Sequence, residues 1–215
     1  TLALSVLTTN TVLRNGPLGL PVSIQVQELR YASIESVGCV RRPVMLQAFL
    51  AIPTSAVGTS GTLPGVVIAH GLGGMAEAGS ATGPAAEHGV VALAYSGPGQ
   101  GSSDGEGSHP DHLFATVPDP RDSWMWEHPV AAMRGLTLLE TVPEVDPQRL
   151  GLTGYSGGAV ATLVANGVDP RPVAAVPVSA SGYMDLAISA TPTSGWQADL
   201  LAAMDPPRDA SSPEW

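Results

Sequence analysis

The run Gly154-Tyr155-Ser156-Gly157-Gly158 constrains this chain more than any other stretch. It fits G-x-S-x-G and stands between two different patterns. Leu150-Gly151-Leu152-Thr153 before it has the length and apolarity of a short buried strand, and Ala159 to Ala165 after it reads as the start of a small-residue helix. A serine on such a tight turn is held clear of its neighbours, at the positive end of the helix, with its Oγ exposed. The flanking glycines permit the close approach and unusual dihedrals that the turn requires. Ser156 is therefore the candidate nucleophile. The alternative is a glycine-rich turn that merely contains a serine, and the strand and helix on either side argue against it.

The rest of the chain supplies a matching frame. Residues 1–21 are rich in Thr, Asn, Gly and Pro and read as an extended lead-in. Val22, Ile24 and Val26 alternate with polar residues, and Val44, Leu46, Ala48, Leu50 and Ile52 alternate again, which predicts two antiparallel strands at a sheet edge. After Gly65 the pattern changes. Val66 to Ala69 and Val90 to Ala94 are continuous apolar runs, as in parallel strands covered on both faces. Gly74 to His88 between them is Ala-rich and helical in character. A Gly-, Pro- and acid-rich connection from Ser96 to about Asp122 leads to a second helix, marked by Trp126, Val130, Met133, Leu136 and Leu139. Val173 to Val178 is the next strand. The alternation of strand and helix predicts an α/β domain over 22–181 with a mostly parallel sheet, and 182–215 as the start of a lid, cap or connecting segment.

Composition narrows the partners. The net charge is −10, lysine is absent, and the nine arginines are scattered. Nucleic acid and anionic membrane surfaces call for clustered positive charge, so both are disfavoured. No apolar run approaches the roughly 18 residues of a bilayer span. The single Cys39 excludes an internal disulfide and reads as an inert buried thiol. The chain begins at Thr1, which is compatible with prior removal of a signal segment and leans towards a secreted or periplasmic location.

Four segments together resemble the α/β-hydrolases. His70-Gly71-Leu72-Gly73-Gly74, after a predicted strand, resembles the HGxxG oxyanion segment. Ser96 to Ser103 is similar to the Gly-rich loop after the next strand. Val145-Asp146-Pro147-Gln148-Arg149-Leu150 looks like the V-D-P-x-R-[IL] run of the dienelactone hydrolase, acetyl xylan esterase and prolyl oligopeptidase branch. The elbow at Ser156 is the fourth, and all four occur in the expected order. The resemblance implies an α/β-hydrolase fold and hydrolysis of a small carboxylic ester through an acyl-Ser156 intermediate. It also implies backbone donors at Leu72 and Gly157 for the oxyanion, a supporting rather than basic role for His70, and neither metal nor organic cofactor. Tyr155, beside the nucleophile, is the expected substrate-binding side chain. Trp124, Trp126, Tyr183 and Trp196 are further candidate apolar walls.

One expected component is missing. In this fold the acid and then the histidine follow the nucleophile. All five histidines (His70, His88, His109, His112 and His128) precede Ser156. Downstream there are carboxylates, Asp185 foremost, but no histidine, and the final strands expected of the fold are missing as well. The expectation is a fragment or subunit completed by a companion chain that supplies the acid and the histidine. His109, Asp111 and His112 could suggest a metal cluster, but without a helical i,i+4 scaffold they read as a solvated loop.

Three other functions compete. A peptidase of the prolyl oligopeptidase type would use the same elbow. A non-catalytic module could keep the fold without the machinery. Gly71 to Ala76 fits G-x-G-x-x-A, a dinucleotide fingerprint, but the next strand ends Ala94-Tyr95-Ser96 without the acidic residue that should meet the ribose.

Overall fold

The computed structural model describes residues 2–113, 115 and 119–180, with the side chains of 110 and 111 excepted. The segment 182–215, with Tyr183, Asp185 and Trp196, lies outside the described residues. Seven strands form one sheet: β1 (Leu4–Asn15), β2 (Pro21–Val37), β3 (Val40–Pro53), β4 (Leu63–Ala69), β5 (Val91–Tyr95), β6 (Val145–Tyr155) and β7 (Pro172–Val178). Their spatial order is β1-β2-β3-β5-β4-β6-β7. The first three strands and the β3–β5 pair are antiparallel, while β5, β4, β6 and β7 run parallel. The helices are α1 (Ala78–His88), α2 (Pro110–Leu113), α3 (Trp124–Leu139) and α4 (Gly157–Val168).

This is the expected α/β architecture, with two extensions that alternation alone did not predict. Residues 4–15 are a full strand paired along β2. The β2–β3 hairpin runs on from Ile24↔Pro53 to Val37↔Val40, well past the alternating segments. Its two-residue turn, Gly38-Cys39, has positive φ at both positions, 57° and 64°, the turn that matches strand twist. Cys39 is therefore exposed, not buried as expected. A cysteine hides a positive-φ turn that Asn-Gly would have announced.

Two cores lie on opposite faces of the sheet. On one, Ala81, Ala85 and Ala86 of α1 pack on Ile24, Ala51, Ala92 and Ala94. Small side chains let this helix lie close to the strands, and Gly89, left-handed at φ 63°, ends it by donating to the Ala85 carbonyl. On the other, Ala131, Leu136, Leu138 and Leu139 of α3 and Ala161 and Ala165 of α4 cover Leu46, Val67, Leu93, Leu150 and Leu152. β5 is buried at every position, as its continuous apolar run predicts.

The far end of the hairpin is fastened by polar contacts. Asp122 is buried and accepts from Ser36 Oγ at 2.6 Å and from the Cys39 N–H at 2.7 Å. Asp122→Ala would strand both donors, so it should destabilise the fold by about 2 kcal/mol, read as a lower urea midpoint at unchanged slope.

Candidate active site

β4 and β6 are adjacent and parallel, with Ala69 opposite Gly154. Their carboxyl ends therefore deliver the 70–74 loop and the Ser156 turn to the same place. Ser156 is the N-cap of α4 and has φ 55°, ψ −117°, a region that non-glycine residues rarely occupy. Its own N–H donates to the Val178 carbonyl at 2.9 Å, and its carbonyl accepts from Ala159 and Val160. The turn is held from both sides, and Ser156 itself is only half-buried.

Glycine is required around it. A Cβ on Gly154 would strike the Gly158 carbonyl, and one on Gly158 would strike the Ala69 carbonyl oxygen. A Cβ on Gly157 would lie 3.0 Å from the Leu72 backbone nitrogen, and one on Gly71 would lie 3.5 Å from Ser156 Cβ. The backbone at Leu72 thus adjoins Gly157, whose N–H is among those left without an intrahelical partner at a helix start. Tyr155 is 61% exposed beside the serine, and Leu72 is 39% exposed.

His70 is half-buried in a closed network. Its Nε2 accepts from the Gly97 N–H at 2.9 Å, so Nδ1 carries the proton that it donates to the Gly71 carbonyl at 2.6 Å. Burial pulls its pKa below the usual imidazole value, only partly offset by the Gly71 carbonyl. Both nitrogens are occupied and the ring is neutral, which makes it a scaffold for the loop rather than a base.

His128, given no role from the sequence, completes that scaffold. Its Nε2–H donates to the His70 carbonyl at 3.1 Å, and Tyr95 Oη donates to the His128 carbonyl at 3.0 Å. Burial, with His70 adding to it, drives its pKa well down. Trp124 stacks on it at 4.4 Å and donates Nε1–H to the Pro98 carbonyl at 3.0 Å. Trp124 is fully buried, so it braces the Gly-rich loop and is not an apolar wall of the site. The i,i+4 spacing of Trp124 and His128 was the available sign that they share a helix face.

The Gly-rich loop is laced to the hairpin. Gln47 Oε1 accepts from the Ser102 N–H, Asp104 accepts from Met45 N–H and Arg30, and Glu35 Oε1 accepts from the Glu106 N–H. Below it, His112 corrects the reading of a solvated loop: it is 4% exposed and faces Glu127, which is fully buried. Burial opposes the charged ring, but Glu127, the Gly107 carbonyl and Glu35 outweigh it and push the His112 pKa up to about 9. Burial likewise raises Glu127, against the pull of His112 and the Ser36 N–H. His109 is exposed.

At its far edge β7 pairs only with β6 among the described residues. Val173 is 70% exposed and Val176 58%, and Val164 and Val168 of the neighbouring α4 are also exposed. No described helix is long and apolar enough to cross a membrane.

Acetyl xylan esterase from Paenibacillus sp. R4 superposes with a TM-score of 0.66 at 25% identity, over 93% of this chain and 60% of that one. The chain has the α/β-hydrolase fold, acetyl xylan esterase-like in its arrangement. Acetyl xylan esterase 1 from Thermoanaerobacterium sp. JW/SL YS485 shares the fold, with a TM-score of 0.58 at 18% identity, over 80% of this chain and 52% of that one. The chain thus spans a little over half the length of these relatives. Among curated proteins, a thiohydrolase of Arthrinium phaeospermum, apmlB, is 56% identical over 36 residues, 17% of this chain and 12% of that protein. No family model matches the sequence.

Proposed function

We propose that this chain bears the nucleophile of a serine esterase acting on small carboxylic esters. The observation that supports this most is the strained Ser156 turn, set against the backbone of the 70–74 loop. The names of the Paenibacillus and Thermoanaerobacterium relatives, both acetyl xylan esterases, favour an ester over a peptide.

In this reading Ser156 Oγ attacks the ester carbonyl carbon and its proton passes to an imidazole. The N–H groups of Leu72 and Gly157 hold the resulting oxyanion, each contributing on the order of 3 kcal/mol to the transition state. The intermediate collapses, the alcohol leaves with the proton, and water then releases the acid from the acyl-Ser156 ester by the same route in reverse. Tyr155 forms one wall for the substrate. The imidazole and its partner carboxylate come from polypeptide that pairs with the β7 edge left unpaired among the described residues and covers the exposed valines beside it. His70 is unsuited to the role because both its nitrogens are engaged, and His128 because it is fully buried with its Nε2–H given to the His70 carbonyl.

The test is a fluorophosphonate probe applied to protein isolated with whatever polypeptide accompanies it, followed by intact mass and peptide mapping. One adduct on Ser156, present only when a chain with an added Asp and His co-purifies, is the expected result. A folded, complete sample that gains no adduct at Ser156 would overturn the proposal.

A further inference from the structure

Away from the serine, three segments distant in sequence bring donor groups together. Glu35 comes from β2, His112 from α2 and Glu127 from α3. All three are buried, and one ligand atom from each lies within 4.8 Å of the others.

The hydrogen bonds around them leave a gap of one kind. His112 Nδ1 lies 2.6 Å from the Gly107 carbonyl, which can only accept, so Nδ1 carries a proton. In the neutral ring the lone pair on Nε2 then faces Glu127 Oε1 at 3.4 Å, without the alignment of a hydrogen bond. Among the described residues, His112 Nε2 and Glu127 Oε2 are both buried without a hydrogen-bond partner. With the ring neutral, acceptors face acceptors, and either a proton on Nε2 or a small cation resolves the conflict. Charge points the same way. Of the two fully buried carboxylates, Glu35 is paired with Arg42, which is half-exposed and shared with the exposed Glu106, and Glu127 has only His112 as a charge partner within 4 Å among the described residues.

We propose that Glu35, His112 and Glu127 form a buried site for a divalent transition-metal ion of the zinc class. The 3.4 Å between His112 Nε2 and Glu127 Oε1 suits it. Two donors at tetrahedral angles around zinc, with bonds near 2.05 Å, lie about 3.4 Å apart. The outer contacts suit it as well. A ligating imidazole normally donates its other N–H to a carbonyl, and ligating carboxylates are themselves hydrogen-bonded. Here Gly107 takes the His112 N–H, Ser36 N–H serves Glu127 at 2.8 Å, and Arg42 and the Glu106 N–H serve Glu35 at 2.7 and 2.6 Å. The role is structural. Such an ion ties the Gly-rich connection to the hairpin and to α3, one residue before His128, which supports the 70–74 loop. The site does not depend on the esterase reading.

The rival occupant is a proton on His112 Nε2, and the experiment separates the two. The full chain is stripped with a chelator at pH 7.5 and titrated with ZnCl2 by calorimetry, then with CoCl2 by visible absorption. One equivalent of Zn2+ per chain is expected, together with cobalt bands of low coordination number. His112→Gln and Glu127→Gln should each weaken binding at least about tenfold, whereas His109→Ala should leave it unchanged. Melting of the stripped variants reports their folding. Should they not fold, the nitrogen NMR shift of His112 in the unmodified chain, moving or not moving on Zn2+ addition, distinguishes the metal from the proton. Failure of the unmodified chain to bind one equivalent, binding indifferent to His112 and Glu127, or loss in His109→Ala would each overturn the site.

Discussion

Ser156→Gly is expected to give a protein that is inert to a fluorophosphonate yet harder to unfold. The serine sits at φ 55°, ψ −117°. A non-glycine residue in such a region costs on the order of 1–3 kcal/mol. Glycine relieves this strain because it has no Cβ. Part of the gain is offset, since glycine adds about 0.5–1 kcal/mol of freedom to the unfolded chain. The net expectation is a rise of about 1 kcal/mol or slightly more in unfolding free energy, seen as a higher urea midpoint at unchanged slope. In the proposed esterase, ester turnover should fall on the order of 10^6-fold, as when a serine nucleophile is deleted. Ser156→Ala is the control. It removes the Oγ but keeps the Cβ, so it should lose labelling without gaining stability. Equal stabilisation by both substitutions would mean that the turn stores no backbone strain.

The largest loss of stability is expected at Gly158. A Cβ there would press into the Ala69 carbonyl and lie 2.5 Å from the His70 carbonyl oxygen. Both belong to the backbone at the end of β4, a strand paired on both sides, so neither can swing away as a side-chain tip would. Overpacking a core costs about 1–3 kcal/mol when side chains can yield, and Gly158→Ala belongs at the upper end or beyond it. The displacement also pushes the 70–74 loop away from Ser156, so labelling should fail even in the fraction that folds. By contrast, Gly167→Ala on the same helix meets nothing within 4 Å. It should be neutral or raise stability by up to about 1 kcal/mol through helix propensity. A Gly158→Ala protein as stable as the parent would show that α4 packs less closely on β4 than these contacts require.

His70, Tyr95, Trp124 and His128 form a block of rings beneath the site. They explain why a loop as glycine-rich as 70–74 can hold one geometry. His70 secures the loop from within, His128 supports it from α3, and Trp124 links the same helix to the Gly-rich connection. The metal site proposed at Glu127 would reinforce that arrangement from one residue away.

How much of this was legible in the linear chain depended on whether the signal was local. The Ser156 elbow, the Ala-rich helix ending at His88 and the buried β5 strand each follow from residues within a few positions, and all three are present in the fold. The Gly38-Cys39 turn was not legible, because cysteine does not advertise a positive φ. Trp124 and His112 were misplaced for a different reason: their surroundings come from other segments. Nothing near His112 in sequence shows that Glu35 and Glu127 meet it in the core. Local pattern thus determined the kind of fold and the position of the serine, because strand and helix periods and turn sterics act over a handful of residues. Only the tertiary structure decided which histidines are scaffold, which indole is core and which carboxylates share a buried site. Burial and hydrogen-bond pairing are set by what the sheet brings together, and that is not written within any one segment.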